Sequence, residues 1–153
     1  MNERALSRDI VIDAPPAAVF AVLADPRAHA DFDGSDTVRS SISGPDRLGL
    51  GSQFGVGMRI RLPYRITNEV VEFEEGRRIA WQHFGHHRWR YELEAVGTGT
   101  RVTETFDWST SRSPWFVERV GFPTTNARGI ERTLPRLKAL VESRAAASPP
   151  PGR

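Results

Sequence analysis

Glu104 is the first residue whose type and placement suggest chemistry. Alternation along the segment ending at Trp108 puts Val102, Glu104, Phe106 and Trp108 on one side and Arg101, Thr103, Thr105 and Asp107 on the other. A carboxylate therefore stands among apolar side chains, where an unpaired charge is costly and the group needs either a partner or a proton. With a proton it is a pocket acid able to hydrogen-bond or protonate a carbonyl. The plainer alternative is a glutamate that reaches solvent at a strand end, or that pairs with an arginine such as Arg59. Trp89, Tyr91 and Leu93 alternate in the same way against Arg88, Arg90, Glu92 and Glu94, and Trp81 lies on the strand before them. These aromatic groups, with Phe106 and Trp108, could line a cavity and offer N–H and O–H tips to a bound molecule, or simply pack a core.

Further candidates are weaker. Phe54, Val56, Met58 and Ile60 share one parity and leave Gly55, Gly57 and Arg59 opposite; Tyr64, Ile66, Asn68 and Val70 share another, which makes an inward amide at Asn68 plausible. Asp31 and Asp33 in D-F-D-G-S place two carboxylates together for acid–base work, although Asp, Gly and Ser are also what a turn prefers. His83, His86 and His87 fall across a hairpin turn with no carboxylate to complete a usual ligand set, so no metal is expected. Gly49, Gly51, Gly55 and Gly57 lack the following helix that a phosphate-cradling loop requires. Hydrolase, metalloprotease and P-loop signatures are missing as well.

Composition narrows the classes further. The 153 residues suit one domain with a real core, and the absence of cysteine excludes disulfides, thiolate metal sites and a cysteine nucleophile. Twenty-one basic residues against nineteen acidic ones, interspersed along the chain, argue against dedicated nucleic-acid binding. The longest apolar run is Ala17 to Ala24, too short to span a bilayer, and no apolar leader precedes it, so a cytoplasmic protein without membrane insertion is expected.

The elements that must position these residues are legible from periodicity. A β-branched strand, Arg8 to Asp13, stops at Ala14-Pro15-Pro16; a helix follows to Ala24, and Asp25 is placed to cap a second short helix fading near Phe32. Segments with strand character then run over 37–43, 52–61, 64–74, 77–83, 88–96 and 100–109, joined by short turns that imply an antiparallel meander. Ser113-Pro114 opens a helical region that Pro123 should break. Beyond it Ala127, Ile130, Leu134, Leu137 and Val141 recur at helical spacing, with Pro135 expected to kink the helix locally. The organisation is thus a lead-in at 1–7, a domain at 8–143 and a small, proline-rich tail at 144–153 expected to be disordered.

The order of elements resembles the START-like, or SRPBCC, superfamily, which includes Bet v 1-like proteins and the polyketide cyclase/dehydrase group. The resemblance rests on I-V-I-D-A-P-P-A-A-V-F-A-V-L-A-D-P (Ile10 to Pro26), E-F-E-E-G-R-R-I-A-W (Glu72 to Trp81), W-R-Y-E-L (Trp89 to Leu93), G-T-R-V-T-E (Gly99 to Glu104) and L-P-R-L-K-A-L-V-E (Leu134 to Glu142). It implies an α+β helix-grip fold: a curved antiparallel sheet of six to seven strands around a long C-terminal helix, with two short helices after the first strand and a cavity between sheet and helix. The expected function is cofactor-free binding of a small apolar or aromatic molecule, with Phe54, Met58, Tyr64, Asn68, Trp81, Trp89, Phe106, Trp108 and Asp33 around it. A cyclase/dehydrase-like enzyme, in which Glu104, Tyr91 or Arg59 assists proton transfer, is the first alternative, and a co-chaperone-like interaction domain the second. Whether the chain forms a homodimer stays open.

Overall fold

The computed structural model describes residues 4–59 and 61–147, with the side chains of residues 39–41 outside that description. Strand β1 (Ala5–Ile12) opens the domain and ends before Pro15-Pro16, where proline occupies the first turn of α1 (Pro16–Leu23). The Asp25 carboxylate accepts the Arg27 N–H at 3.0 Å and caps a 3₁₀ turn, Pro26–Ala28, which leads directly into α2 (His29–Phe32). Six strands follow: β2 (Val38–Ser43), β3 (Gln53–Arg59), β4 (Pro63–Glu74), β5 (Arg78–Gln82), β6 (Arg88–Val96) and β7 (Gly99–Asp107). Helices α3 (Pro114–Arg119) and α4 (Phe122–Ala147) complete it.

The sheet order is β1-β7-β6-β5-β4-β3-β2, antiparallel throughout. The consecutive hairpins β2 to β7 form the expected meander, and β1 closes against β7 with Ala5 opposite Asp107 and Ile12 opposite Thr100. The sheet curves around α4, which buries Ile130, Leu134, Leu137 and Val141 against it; each such side chain contributes roughly 1.5–3 kcal/mol by leaving water. The architecture is the α+β helix grip. Lys138 Nζ donates to the Val11 carbonyl at 3.1 Å, and the Asp13 N–H donates to Glu142 at 2.9 Å, so polar ties fix the same helix to the end of β1.

Three boundaries differ from the sequence reading. Strand β1 begins at Ala5, inside the segment read as a lead-in, because its pairing with β7 extends to Asp107. The break before α4 is at Gly121, whose φ of 77° favours glycine, whereas Pro123 sits in the first turn of α4, where its missing N–H is harmless. At its other end α4 continues through Ala147, into the segment read as a tail; residues 148–153 lie outside the described residues, as does Ile60.

Candidate functional site

Glu104 and Tyr91 are directly opposite each other on β7 and β6, so their side chains leave the sheet on the same face. Tyr91 Oη donates to Glu104 Oε1 at 2.8 Å, and both residues are buried. The second carboxyl oxygen, Oε2, is buried without a hydrogen-bond partner among the described residues, and no cation there reaches it. Arg8 is the cross-strand neighbour of Glu104 on β1, but its guanidinium turns away, donating to Glu131 on α4 at 3.3 Å and to the Ser7 carbonyl at 2.9 Å. Burial therefore dominates: it pushes the Glu104 carboxyl up to about 8, against the opposing effect of the Tyr91 hydrogen bond and with a further push from nearby Asp33. At neutral pH the group is a carboxylic acid. Because Oε1 accepts from Tyr91, the acid proton belongs on Oε2, which presents an O–H donor. The Tyr91 phenol lies well above its usual value, through burial first and the Glu104 carboxyl second.

An aromatic wall surrounds this pair. The Tyr91 ring lies 5.4 Å from Trp81 and 6.5 Å from Phe32, and Trp81 in turn packs 5.8 Å from Phe54 and stacks on His29 at 4.6 Å. His29 is a residue that the sequence reading passed over. It is buried, its Nε2 donates to the Leu23 carbonyl at 2.9 Å, and burial lowers its pKa to about 4, which keeps the ring neutral. The available signal was its spacing of three from Phe32, which puts both rings on one side of α2.

Asp33 reaches the pair electrostatically while serving as a turn residue: its carboxylate accepts from the Ser35 N–H at 3.1 Å, the Ser35 hydroxyl and the Val38 N–H at 3.1 Å. The loop that carries it touches α4 at Gly34, whose N–H donates to Thr133 Oγ1 at 2.9 Å; a Cβ there would stand 2.4 Å from the Gly129 carbonyl oxygen. Only glycine permits that approach.

Farther along the same face lies a second cluster. Trp89 and Phe106 are 5.4 Å apart, Phe106 stacks on Trp108 at 5.6 Å, and His87 meets Phe106 at 5.3 Å. His83 and His87 approach through their Nε2 atoms at 3.1 Å, and burial lowers both to about 4. Among the described residues no group of three or more His, Cys, Asp or Glu side chains could hold a metal ion.

The expected residues therefore separate. Glu104, Tyr91, Trp81 and Phe54 converge, with Asn68 buried on β4 opposite Phe54. Trp89, Phe106 and Trp108 join the neighbouring cluster, and Met58 is half-buried against the core. Arg59 is not part of the site. It is exposed at the last residue of β3, four strands from β7, and the partner of Glu104 is Tyr91 instead. Tyr64 shares the parity of Asn68 but is 38% exposed near the start of β4, beyond the reach of the core. On the opposite side of the sheet, an open groove of about 530 Å³ is lined by charges of both signs, including Arg77, Arg78, Glu92, Glu94 and Arg101.

The family described as "Polyketide cyclase / dehydrase and lipid transport" matches residues 3–142. The chain belongs to it. An uncharacterized protein of Mycobacterium tuberculosis H37Rv, Rv0088, is 44% identical over 138 residues, covering 86% of this chain and 62% of that protein; the chain thus spans about three-fifths of the length of this relative. Solved structures share the fold at low identity. The Zhui aromatase/cyclase of a Streptomyces species superposes with a TM-score of 0.72 at 16% identity, covering 93% of this chain and 95% of that one. An AHSA1-like protein from Aeromonas hydrophila does so with a TM-score of 0.60 at 19% identity, covering 97% and 100%. No helix among the described residues is long and apolar enough to cross a membrane.

Proposed function

We propose that this member of the family binds a small apolar or aromatic molecule carrying a carbonyl, held between the sheet and α4 against the Glu104–Tyr91 pair. The observation that carries this reading is the buried, unpartnered Glu104 Oε2. A polar atom left unsatisfied in a core costs about 1–3 kcal/mol, and a ligand acceptor placed there would remove that penalty. A protonated carboxyl group suits a neutral carbonyl oxygen as its acceptor. Phe32, Trp81 and Tyr91 supply the aromatic surroundings.

Proton transfer to the bound molecule is the second reading. It is favoured by the 2.8 Å contact between two groups whose ionisation is suppressed together, and by the fold shared with an aromatase/cyclase.

Native mass spectrometry of the protein, and titration with an aromatic ketone such as a hydroxylated anthraquinone, test the binding. A bound adduct is expected, with affinity that falls as pH rises past about 8, where Glu104 ionises. Glu104→Gln keeps a donor and should retain affinity while losing that pH dependence. If the pair also transfers a proton, the same variant loses on the order of 10²-fold in rate. Protein that carries no adduct and takes up no ketone would overturn the binding assignment.

A further inference from the structure

We infer that α3 and its flanks form a docking surface for an anionic lipid bilayer. Trp115 is 62% exposed and Phe116 51%, on a helix of six residues whose Val117 alone is buried. Val120 and Phe122, which follow directly, are also exposed. The β5–β6 turn adds Phe84 at 77%, and that turn is tied to the segment before α3: the Arg112 N–H donates to the Gly85 carbonyl at 3.4 Å, and Thr110 Oγ1 to the His86 carbonyl at 2.7 Å. Five large apolar side chains are thus gathered at one end of the molecule, where scattered single ones would need no explanation.

Charge selects the occupant. Trp115 and Arg119, and Phe116 and Val120, are each four residues apart, so apolar groups and an arginine share one outward side of α3. Arg112 and Arg119 take part in no ion pair among the described residues, and Arg119 is exposed. The one acid on α3, Glu118, is engaged by Arg4 at 3.1 Å and by Trp108 Nε1 at 2.9 Å. Exposed Trp and Phe between uncompensated arginines is the composition that seats in the headgroup layer of an anionic membrane. Insertion would be shallow, without any spanning element. The surface also adjoins the interior, since the Phe122 ring lies 6.4 Å from that of His87. Such docking does not depend on what occupies the core.

Co-sedimentation of the whole chain with vesicles tests it. Vesicles of equal parts phosphatidylglycerol and phosphatidylcholine should bind the protein, and phosphatidylcholine alone should not. Arg112→Gln/Arg119→Gln should weaken binding about 30-fold, from roughly one kcal/mol for each arginine near an anionic surface. Trp115→Ser/Phe116→Ser should abolish it with an unchanged melting curve. Tryptophan emission should shift to the blue on binding, and Trp115→Phe should remove that shift while binding persists, because Trp81 and Trp108 are buried and half-buried Trp89 is packed on His83, His87 and Phe106. Equal sedimentation of wild type and the Trp115→Ser/Phe116→Ser variant would overturn the assignment. So would failure to bind anionic vesicles, or a concentration-dependent dimer in ultracentrifugation that the same variant dissolves, which would give the surface to a second copy.

Discussion

Glu72 and Glu104 are the same side chain on opposite faces of one sheet, with opposite fates. Glu72, at the irregular step in the pairing of β4 with β5, is surrounded by guanidinium groups. Arg90 donates from Nε at 3.0 Å and Nη2 at 2.7 Å, and Arg88 from Nη1 at 3.2 Å. Burial would raise its pKa, but the hydrogen bonds and charges of Arg90 and Arg88 prevail and hold it below the usual range. Glu104 has a phenol for company, and burial prevails. Depth and partner chemistry together decide which carboxyl keeps its proton, since Glu104 is fully buried beside a phenol and Glu72 is only partly buried between two arginines. The outer face thereby holds fixed charge and the inner face a neutral acid.

The largest effect that would break this contrast is a pH slope of stability. In the folded chain Glu104 keeps its proton up to about 8, whereas in the unfolded chain it loses it near 4.5. At this group the folded state thus binds more protons across that window, so its contribution to stability should fall by several kcal/mol as pH rises from about 4.5 to about 8. The histidines His29, His83 and His87, lowered by burial to about 4, contribute the opposite slope below their unfolded value of 6.5. Urea titrations of wild type and Glu104→Gln over this range should isolate the decline as the difference between the two, because the histidine slope is common to both. A difference that does not change with pH would mean that Glu104 has a cation the geometry does not reveal.

A smaller effect of opposite sign belongs to Glu72→Gln. Because the folded-state pKa is lowered, its stabilisation is present above the unfolded value and disappears as pH falls through the folded one. The variant should lose about 1–2 kcal/mol near neutral pH, discounted for partial exposure of the cluster, and match wild type in acid. Denaturant midpoints at the two pH values measure it. Smallest is Tyr91→Phe, which removes the donor at Glu104 Oε1 and should cost about 1 kcal/mol at neutral pH while raising the carboxyl pKa further. An NMR titration of the Glu104 carboxyl carbon reads the second part.

The inward carboxyl is legible in the sequence because a strand's side chains alternate, so Val102, Phe106 and Trp108 by themselves assign Glu104 its face. The same rule brings Tyr91 to it, since β6 and β7 are consecutive. Parity cannot say where along a strand the core stops, which is why Tyr64 was expected inside and lies exposed; Arg59, expected at the site, stands on the parity opposite Phe54 and Val56 and is exposed as that parity requires. The turn away from Glu104 made by Arg8, and the burial of His29, are set by packing between elements distant in sequence. The local pattern encodes nothing of the first, and of the second only the three-residue spacing that puts His29 beside Phe32. Gly121 lost out to Pro123 as the helix break because a proline in the first turn and one in the interior look alike until the start of the helix is known.

The seam between β1 and β7 governs the order in which the molecule can assemble. Ile12 faces Thr100 and Ala5 faces Asp107, so the first strand waits for about ninety residues of chain before its neighbour exists. Hairpins from β2 to β7 can zip locally, while β1 and the docking of α4 close large loops. During synthesis β1 is left as an open edge until β7 emerges to pair with it, making this non-local seam the one most exposed to association with another chain.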